Sequence, residues 1–224
     1  MKTALRLSAF LLVFLAFACK GDKATGVKAV TGAAEKAAKQ VTQAAVYKLD
    51  SGKLNWVGSK ALGDSHSGTI NLSNGKLAVA NGALQAGDFM IDMASITCTD
   101  LEAGKGKEKL EGHLKAPDFF DVAQFPTGSF EITSVTPATG VPDVTHNVKG
   151  NLTLKGTKKS ITIPANISVA GGKVSAVTPS FTINRTEWGI TYGSGSIVDL
   201  AKDKVINDDI ALVLELNASE AVAQ

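Results

Sequence analysis

From Tyr47 onward, apolar and polar side chains alternate along most of the chain with a period of two. In SFEITSV, Phe130 and Ile132 oppose Glu131 and Thr133, and in GNLTLKG, Leu152 and Leu154 oppose Asn151, Thr153 and Lys155. SITIPANISV puts Ile161, Ile163, Ala165, Ile167 and Val169 on one face, against Ser160, Thr162, Asn166 and Ser168. SFTINRT pairs Phe181 with Ile183, and DIALVLELN aligns Ile210, Leu212, Leu214 and Leu216. A strand with one dry and one wet face belongs to an antiparallel sheet. Asn74-Gly75, Asn81-Gly82 and Gly171-Gly172 supply the turn residues that such strands need between them. About eight or more short strands at this spacing predict an all-β sandwich or barrel, and periodicity does not choose between the two.

Residues 99–121 break the alternation. Thr99 and Glu102 have capping-box spacing ahead of an apolar position, and Leu110, His113 and Leu114 fall at i, i+3 and i+4 on one helical face. Gly104 and Gly106 weaken the first turn, and Pro117 stops the last. The pattern predicts a short helical crossing that lays His113 and the Phe119–Phe120 pair against the sheet as a lid.

The N-terminus carries a different signal. Lys2 and Arg6 precede an apolar run from Leu7 to Phe17, which ends at Ala18-Cys19. A charged start, an apolar stretch too short to span a bilayer and a small residue at the cut describe a signal peptide over residues 1–18. The cysteine just after the cut resembles the lipidated first residue of bacterial lipoproteins, although Ala16 and Phe17 depart from the usual box. Diacylation or triacylation of Cys19 anchors a protein stably where one chain would not. With Cys19 so used, Cys98 has no partner for a disulfide; it reads as a small, half-buried residue rather than a reactive thiol. Residues 19–45 are rich in Ala, Lys and Thr and lack aromatics; their five lysines face two acids, Asp22 and Glu35. Glu35 and Lys39 favour a short helix, but without bulky apolar residues the segment reads as a solvated, flexible tether. The expected organisation is therefore signal peptide 1–18, lipidated tether 19–45, barrel domain 46–217 and tail 218–224.

The 23 basic and 21 acidic side chains give a net charge of +2, which argues against a nucleic-acid surface. Two chemical alternatives arise from motifs. GDSHS (63–67) and DVTH (143–146) resemble the nucleophile and Asp-x-x-His blocks of GDS-type serine esterases, with Ser65, His146 and Asp143 as the triad types. Against this, no βα alternation is visible, and Asp143 and His146 sit in a Pro- and Thr-rich connection. His66, His113 and His146, the three histidines, have no metal-ligand spacing, so no metal or other cofactor is expected. The third reading is an apolar interior, either a filled core or a cavity for a chain-like ligand. Arg185 falls on the face of Phe181 and Ile183. If that face points inward, Arg185 needs an acidic partner or a ligand head group.

Several segments, in order along residues 46–217, resemble the YceI family of polyisoprenoid-binding proteins. They are DSHSGTI (64–70), DMASITCTDL (92–101), LEGHLKAPDFFDVAQFPTGSF (110–130), VKGNLTLKGTKKSITIPA (148–165) and FTINRTEWGITYGSG (181–195). The resemblance implies a lipocalin-like antiparallel β-barrel of about eight strands, holding a long isoprenoid, isoprenoid quinone or similar lipid. It implies binding, storage or transport rather than catalysis. The candidate wall is Phe119, Phe120, Phe130, Phe181, Ile183 and Trp188, with Trp56 and Phe89; Arg185 and His113 are the polar candidates. The expected location is the bacterial cell envelope, as a periplasmic or outer-membrane lipoprotein held to the membrane through Cys19, with a homodimer left open. A filled structural or stress-related envelope barrel remains the third alternative beside the esterase.

Overall fold

A computed structural model describes residues 26–38 and 43–221. The expected signal peptide and lipidation at Cys19 fall outside these residues. Two short strands come first, β1 (Val27–Lys28) and β2 (Val30–Ala33), then β3 (Ala45–Ser59), β4 (Ser65–Ala80) and β5 (Ala83–Asp92). The crossing that follows holds β6 (Thr97–Cys98) and α1 (Lys107–Lys115). The remaining strands are β7 (Thr127–Pro137), β8 (His146–Leu154), β9 (Thr157–Ala170), β10 (Lys173–Val177), β11 (Phe181–Asn184) and β12 (Asp209–Glu220). Strands β3, β4, β5, β7, β8, β9, β10 and β12 pair antiparallel in that order, and β12 closes on β3 from Ala211↔Val57 to Glu220↔Tyr47. The all-β, eight-stranded antiparallel barrel expected from the alternation is the observed architecture.

Local chemistry explains most of the corners. Asn81-Gly82 and Gly171-Gly172 take φ of 53° and 73°, and of 57° and 70°, the left-handed pair of a tight hairpin turn. Lys155-Gly156 does the same at 45° and 73°, although lysine gave no turn signal. Asn74-Gly75 is not a turn: β4 runs through it, and the register against β5 shifts between Leu72 and Asn74. The glycine serves close approach instead, since a β-carbon there would lie 2.9 Å from both Asp88 O and Phe89 Cβ. The inward face is as the periodicity predicts, with Phe130, Ile132, Leu152, Ile161, Ile163, Ala165, Leu214 and Leu216 all buried.

The segment expected to be a tether is part of the wall. Strand β9 pairs with β10 through Asn166–Ala170 only, and its first half splays away. Strand β12 likewise pairs with β10 through one half and with β11 through the other. The slot left between β9 and β11 is filled by the N-terminal segment, with β1 parallel to β11 and β2 antiparallel to β9. Beyond the slot, the backbone of Glu35 exchanges two hydrogen bonds with the Asn151 amide, at 2.8 and 2.7 Å, and the Glu35 carboxylate pairs with Lys149. Ala38 N then donates to Ile132 O on β7. Residues 26–38 thus strap the barrel from outside, and no helix forms at Glu35. Small residues make this possible: Ala29, within the strap, is buried against the barrel core, while Val27 and Val30 remain exposed. At the other end, β12 extends to Glu220, into the expected tail.

Candidate functional site

The end of the barrel where β3 and β5 finish and β4 and β12 begin is covered by two crossings. The first, between β5 and β7, carries α1. The helix is shorter than expected and has no capping box: Gly106 is its N-cap without a side-chain bond, Thr99 donates to Ser67 O, and Glu102 pairs with Lys105. Its hold on the barrel comes from Glu111, whose Oε1 accepts from Thr97 Oγ1 at 2.6 Å and Cys98 N at 2.8 Å. These hydrogen bonds lower the carboxyl's pKa. Leu110, His113 and Leu114 line the space beneath, as their spacing predicted. The second crossing, Arg185 to Asp208, brings Tyr192 over the opening. His113 meets Phe119 edge-on at 4.9 Å and Tyr192 edge-on at 4.6 Å, closing one side with three rings. His113 Nε2 is also 2.7 Å from Asp118 Oδ2.

Beneath this lid lies a cavity of about 400 Å³. Trp56, Ile70, Ile91 and Leu152 form its depth, with Phe119, Phe120 and Ile183 nearer the lid crossings. Its rim carries Lys60, Lys204 and His66 against Asp64 and Asp203. An apolar chamber with a charged, wet rim accepts an amphiphile with its tail inward and its head at the water. The opposite half of the barrel is nearly solid, with a residual void of about 30 Å³. The alternatives of filled core and cavity therefore each describe one half.

The proposed wall residues divide accordingly. Trp56, Phe119, Phe120, Ile183, Arg185 and His113 line the large chamber. Phe89 and Phe130 line the small void, stacked at 5.3 Å. Phe181 and Trp188 are buried but border neither space, and the Trp188 indole N–H donates to Leu152 O. Tyr192 was missed, because a tyrosine in a Gly- and Ser-rich crossing has no periodicity to mark it. The aliphatic residues Ile70, Ile91 and Leu212 were missed as well, since alternation marks a face as inward without saying whether it meets a void.

Arg185 is interior, 3% exposed, and four of its five N–H groups are hydrogen-bonded. Nε donates to Asn207 O, one terminal nitrogen to Ile190 O, and the other to Ile206 O and Asp208 Oδ1 at 3.2 and 3.4 Å. Burial lowers its pKa and Asp208 partly restores it. These four N–H groups bind the Asp208 crossing to the barrel, a structural role. Its cationic face also lies 6.0 Å from the Phe119 ring.

The esterase triad is not assembled. Ser65 begins β4 beside Ser59, at the lidded end, whereas His146 begins β8 opposite Pro137, at the far end. Asp143 stays near His146, but the His146 Nδ1 contact is Thr145 Oγ1 at 2.8 Å.

His66, Cys98 and Asp100 do converge, their ligand-type atoms all within 4.8 Å. Asp100 accepts from Ser67 N at 2.8 Å and Cys98 Sγ at 3.0 Å, with His66 Nδ1 at 2.8 Å. Burial would raise this carboxyl, but the three hydrogen bonds outweigh it and hold the pKa at about 2. Burial, then the bond to Asp100, raise the pKa of Cys98, so its thiol is protonated and fully enclosed. Cys98 is a small core residue, more deeply buried than expected.

Comparison with known proteins agrees with this architecture. UPF0312 proteins match in sequence. That of Staphylococcus aureus strain N315 is 30% identical over 111 residues, 47% of this chain and 60% of that protein. That of Pseudomonas putida strain KT2440 is 28% identical over 156 residues, 66% of this chain and 77% of that protein. The chain thus spans about 60% of the length of its Staphylococcus relatives. Two solved structures share the fold. Burkholderia cenocepacia BcnA has a TM-score of 0.58 at 21% identity, covering 75% of this chain and 96% of that one. A polyisoprenoid binding domain from Saccharophagus degradans, implicated in plant cell wall breakdown, has a TM-score of 0.55 at 17% identity, covering 78% and 98%. The YceI-like domain model matches residues 23–218, a span that takes in the strap as well as the barrel, and the chain belongs to the YceI-like family.

Proposed function

We propose that this protein binds the tail of an amphiphilic lipid, of isoprenoid or comparable chemistry, inside the lidded half of its barrel, and acts as a non-enzymatic carrier or store at the bacterial cell envelope. The observation that carries this reading is the 400 Å³ chamber, walled by Trp, Phe, Ile and Leu and rimmed by charge, in a fold shared with a polyisoprenoid binding domain. Burying a tail releases roughly 0.8 kcal/mol per methylene, so affinity needs no polar contact in the depth. Catalysis is not part of the proposal, because Ser65 and His146 stand at opposite ends of the barrel. The N-terminal cysteine, by its sequence context, would tether the carrier to a membrane from which ligand is drawn.

The test is native mass spectrometry of the purified full-length chain, with lipid extraction to identify any adduct. Replacing both lid phenylalanines, Phe119→Asp and Phe120→Asp, places two carboxylates in the chamber wall. A stoichiometric hydrophobic adduct on the wild type, lost from this variant while its circular dichroism keeps the sheet signature, is the expected result. A wild-type chain that stays bare after incubation with isoprenoid quinones and lipids would overturn the reading.

A further inference from the structure

We infer that the lidded end of the barrel is a membrane-docking surface. Two loops at the chamber mouth, carrying Leu62, Ile197 and Val198, dip into the interfacial layer of a bilayer and hold the mouth against it. The inference rests on the lipid-binding reading above and adds the partner from which the chamber is filled.

Among the described residues, the exposed large apolar side chains are unevenly placed. Leu62, Tyr192, Ile197 and Val198 are 58, 47, 54 and 52% exposed, and all four belong to two loops at one end, 60–64 and 191–206. The others lie on the strap, on barrel strands and in the loop between β7 and β8. A lone exposed valine needs no explanation, whereas several apolar side chains together mark a contact surface.

Hydrogen bonds join the two loops into one rim. Lys60 N donates to Asp64 O at 2.9 Å, which closes the first loop around Leu62, and Ala61 N donates to Val205 O at 2.9 Å. Ile206 bridges to both Lys60 and Ser194. Ser194 O in turn accepts from the amides of Ile197 and Val198 at 3.3 and 3.1 Å. Lys60, Asp64, Tyr192, Lys204 and Ile206 line the chamber, whereas Leu62, Ile197 and Val198 do not. The backbone that frames the opening thus carries apolar side chains outside it.

Two features select a bilayer over a protein partner. Each of the four side chains is about half exposed, so together they offer on the order of 300 Å² of apolar surface, against about 800 Å² per partner in a stable protein interface. They also stand on loops, not on the sheet edge or helix face that another chain would match. A bilayer needs no matching face. It takes a few apolar side chains and a tyrosine ring to headgroup depth, and lysine stems carry their charge back to the water. Lys60, Lys202 and Lys204 share the loops with Asp64, Asp199 and Asp203, so the loops carry no net charge and the contact does not depend on anionic lipid. So small a surface holds the mouth only transiently, and stable anchoring needs a further attachment.

The experiment uses the full-length chain with Cys19→Ser; Cys98 is fully enclosed, so a cysteine introduced on a loop is the accessible thiol. Nitrobenzoxadiazole is attached at Leu62→Cys, at Ile197→Cys, or at Val141→Cys in the exposed loop of the far end. Each protein is mixed with dioleoylphosphatidylcholine vesicles, with and without brominated acyl chains. The labels at 62 and 197 should shift to the blue and be quenched by bromine, while the label at 141 does neither. Because positions on one molecule are compared, the result does not depend on what else holds the chain to the vesicle. Equal quenching at both ends, or none at 62 and 197, overturns the docking surface. Quenching that appears only with phosphatidylglycerol overturns apolar insertion as its cause. Leu62→Asp with Ile197→Asp should abolish the quenching of a label at Val198→Cys yet keep any lipid adduct in the native mass spectrum, since neither side chain lines the chamber. Undiminished quenching in that variant also overturns the inference. Quenched loop labels on a protein that carries and takes up no lipid would leave the docking surface standing and overturn the lipid-binding reading.

Discussion

Arg185 illustrates how a residue that looks functional in sequence can be structural in place. A charge among Phe181, Ile183 and the chamber wall would be costly alone, and burial at 3% exposure leaves little hydration. Three main-chain carbonyls and Asp208 replace that hydration, and all of them come from the crossing that covers the chamber. Arg185→Met should therefore cost stability first, by about 3–5 kcal/mol, because Asp208 and the carbonyls lose a buried partner. Chemical denaturation checks this. A variant as stable as the wild type that has lost its lipid would instead make Arg185 a ligand contact. Asn151 is a similar case. Its place on the polar side of a clean alternation suggested solvent, yet it is buried to 1% exposure by the strap that its amide holds.

The strap is the element whose role least resembles its composition. Alanine, lysine and threonine without aromatics give no amphipathic pattern, and a tether is the natural expectation for such a segment. What residues 27–33 supply is backbone, since the split of β9 from β10 and β11 leaves two edges with unmet hydrogen-bonding groups. Open edges recruit other strands. Deleting residues 26–38 should lower stability by about 2 kcal/mol and expose Thr157–Ile163 to amide exchange. The truncated barrel should also associate through β9 and β11, which light scattering would report as dimers or larger species. Unchanged exchange at those residues would show that the barrel closes without the strap. By contrast, the α1 lid was legible because Leu110, His113 and Leu114 share a face. Its start was not, because the Thr99 and Glu102 side chains found partners outside the helix.

At the scale of the whole molecule, the barrel places its two ends in different roles. One end is lidded, polar at the rim and hollow beneath; the other is packed nearly solid. The strap enters from the N-terminal side, so a lipid on Cys19 would lie only a few residues before the first wall strand. Cys19→Ser should move the protein from the membrane fraction to the soluble fraction of disrupted cells. Continued membrane association after that change would show an attachment other than lipid on Cys19.

By itself, the sequence determined what depends on neighbours along the chain. Period-two alternation specified antiparallel strands and their inward faces, Asn81-Gly82 and Gly171-Gly172 specified hairpins, and ordered family motifs specified the barrel. Tertiary structure decided what depends on packing between distant segments. Whether alternating faces enclose a void, whether Phe130 borders the chamber or the packed half, which carbonyls hold Arg185, and whether Ala29 floats or seals a seam are all settled by what stands opposite. A one-dimensional pattern records the polarity of each side chain, whereas a cavity exists only where several such faces fail to fill the space between them.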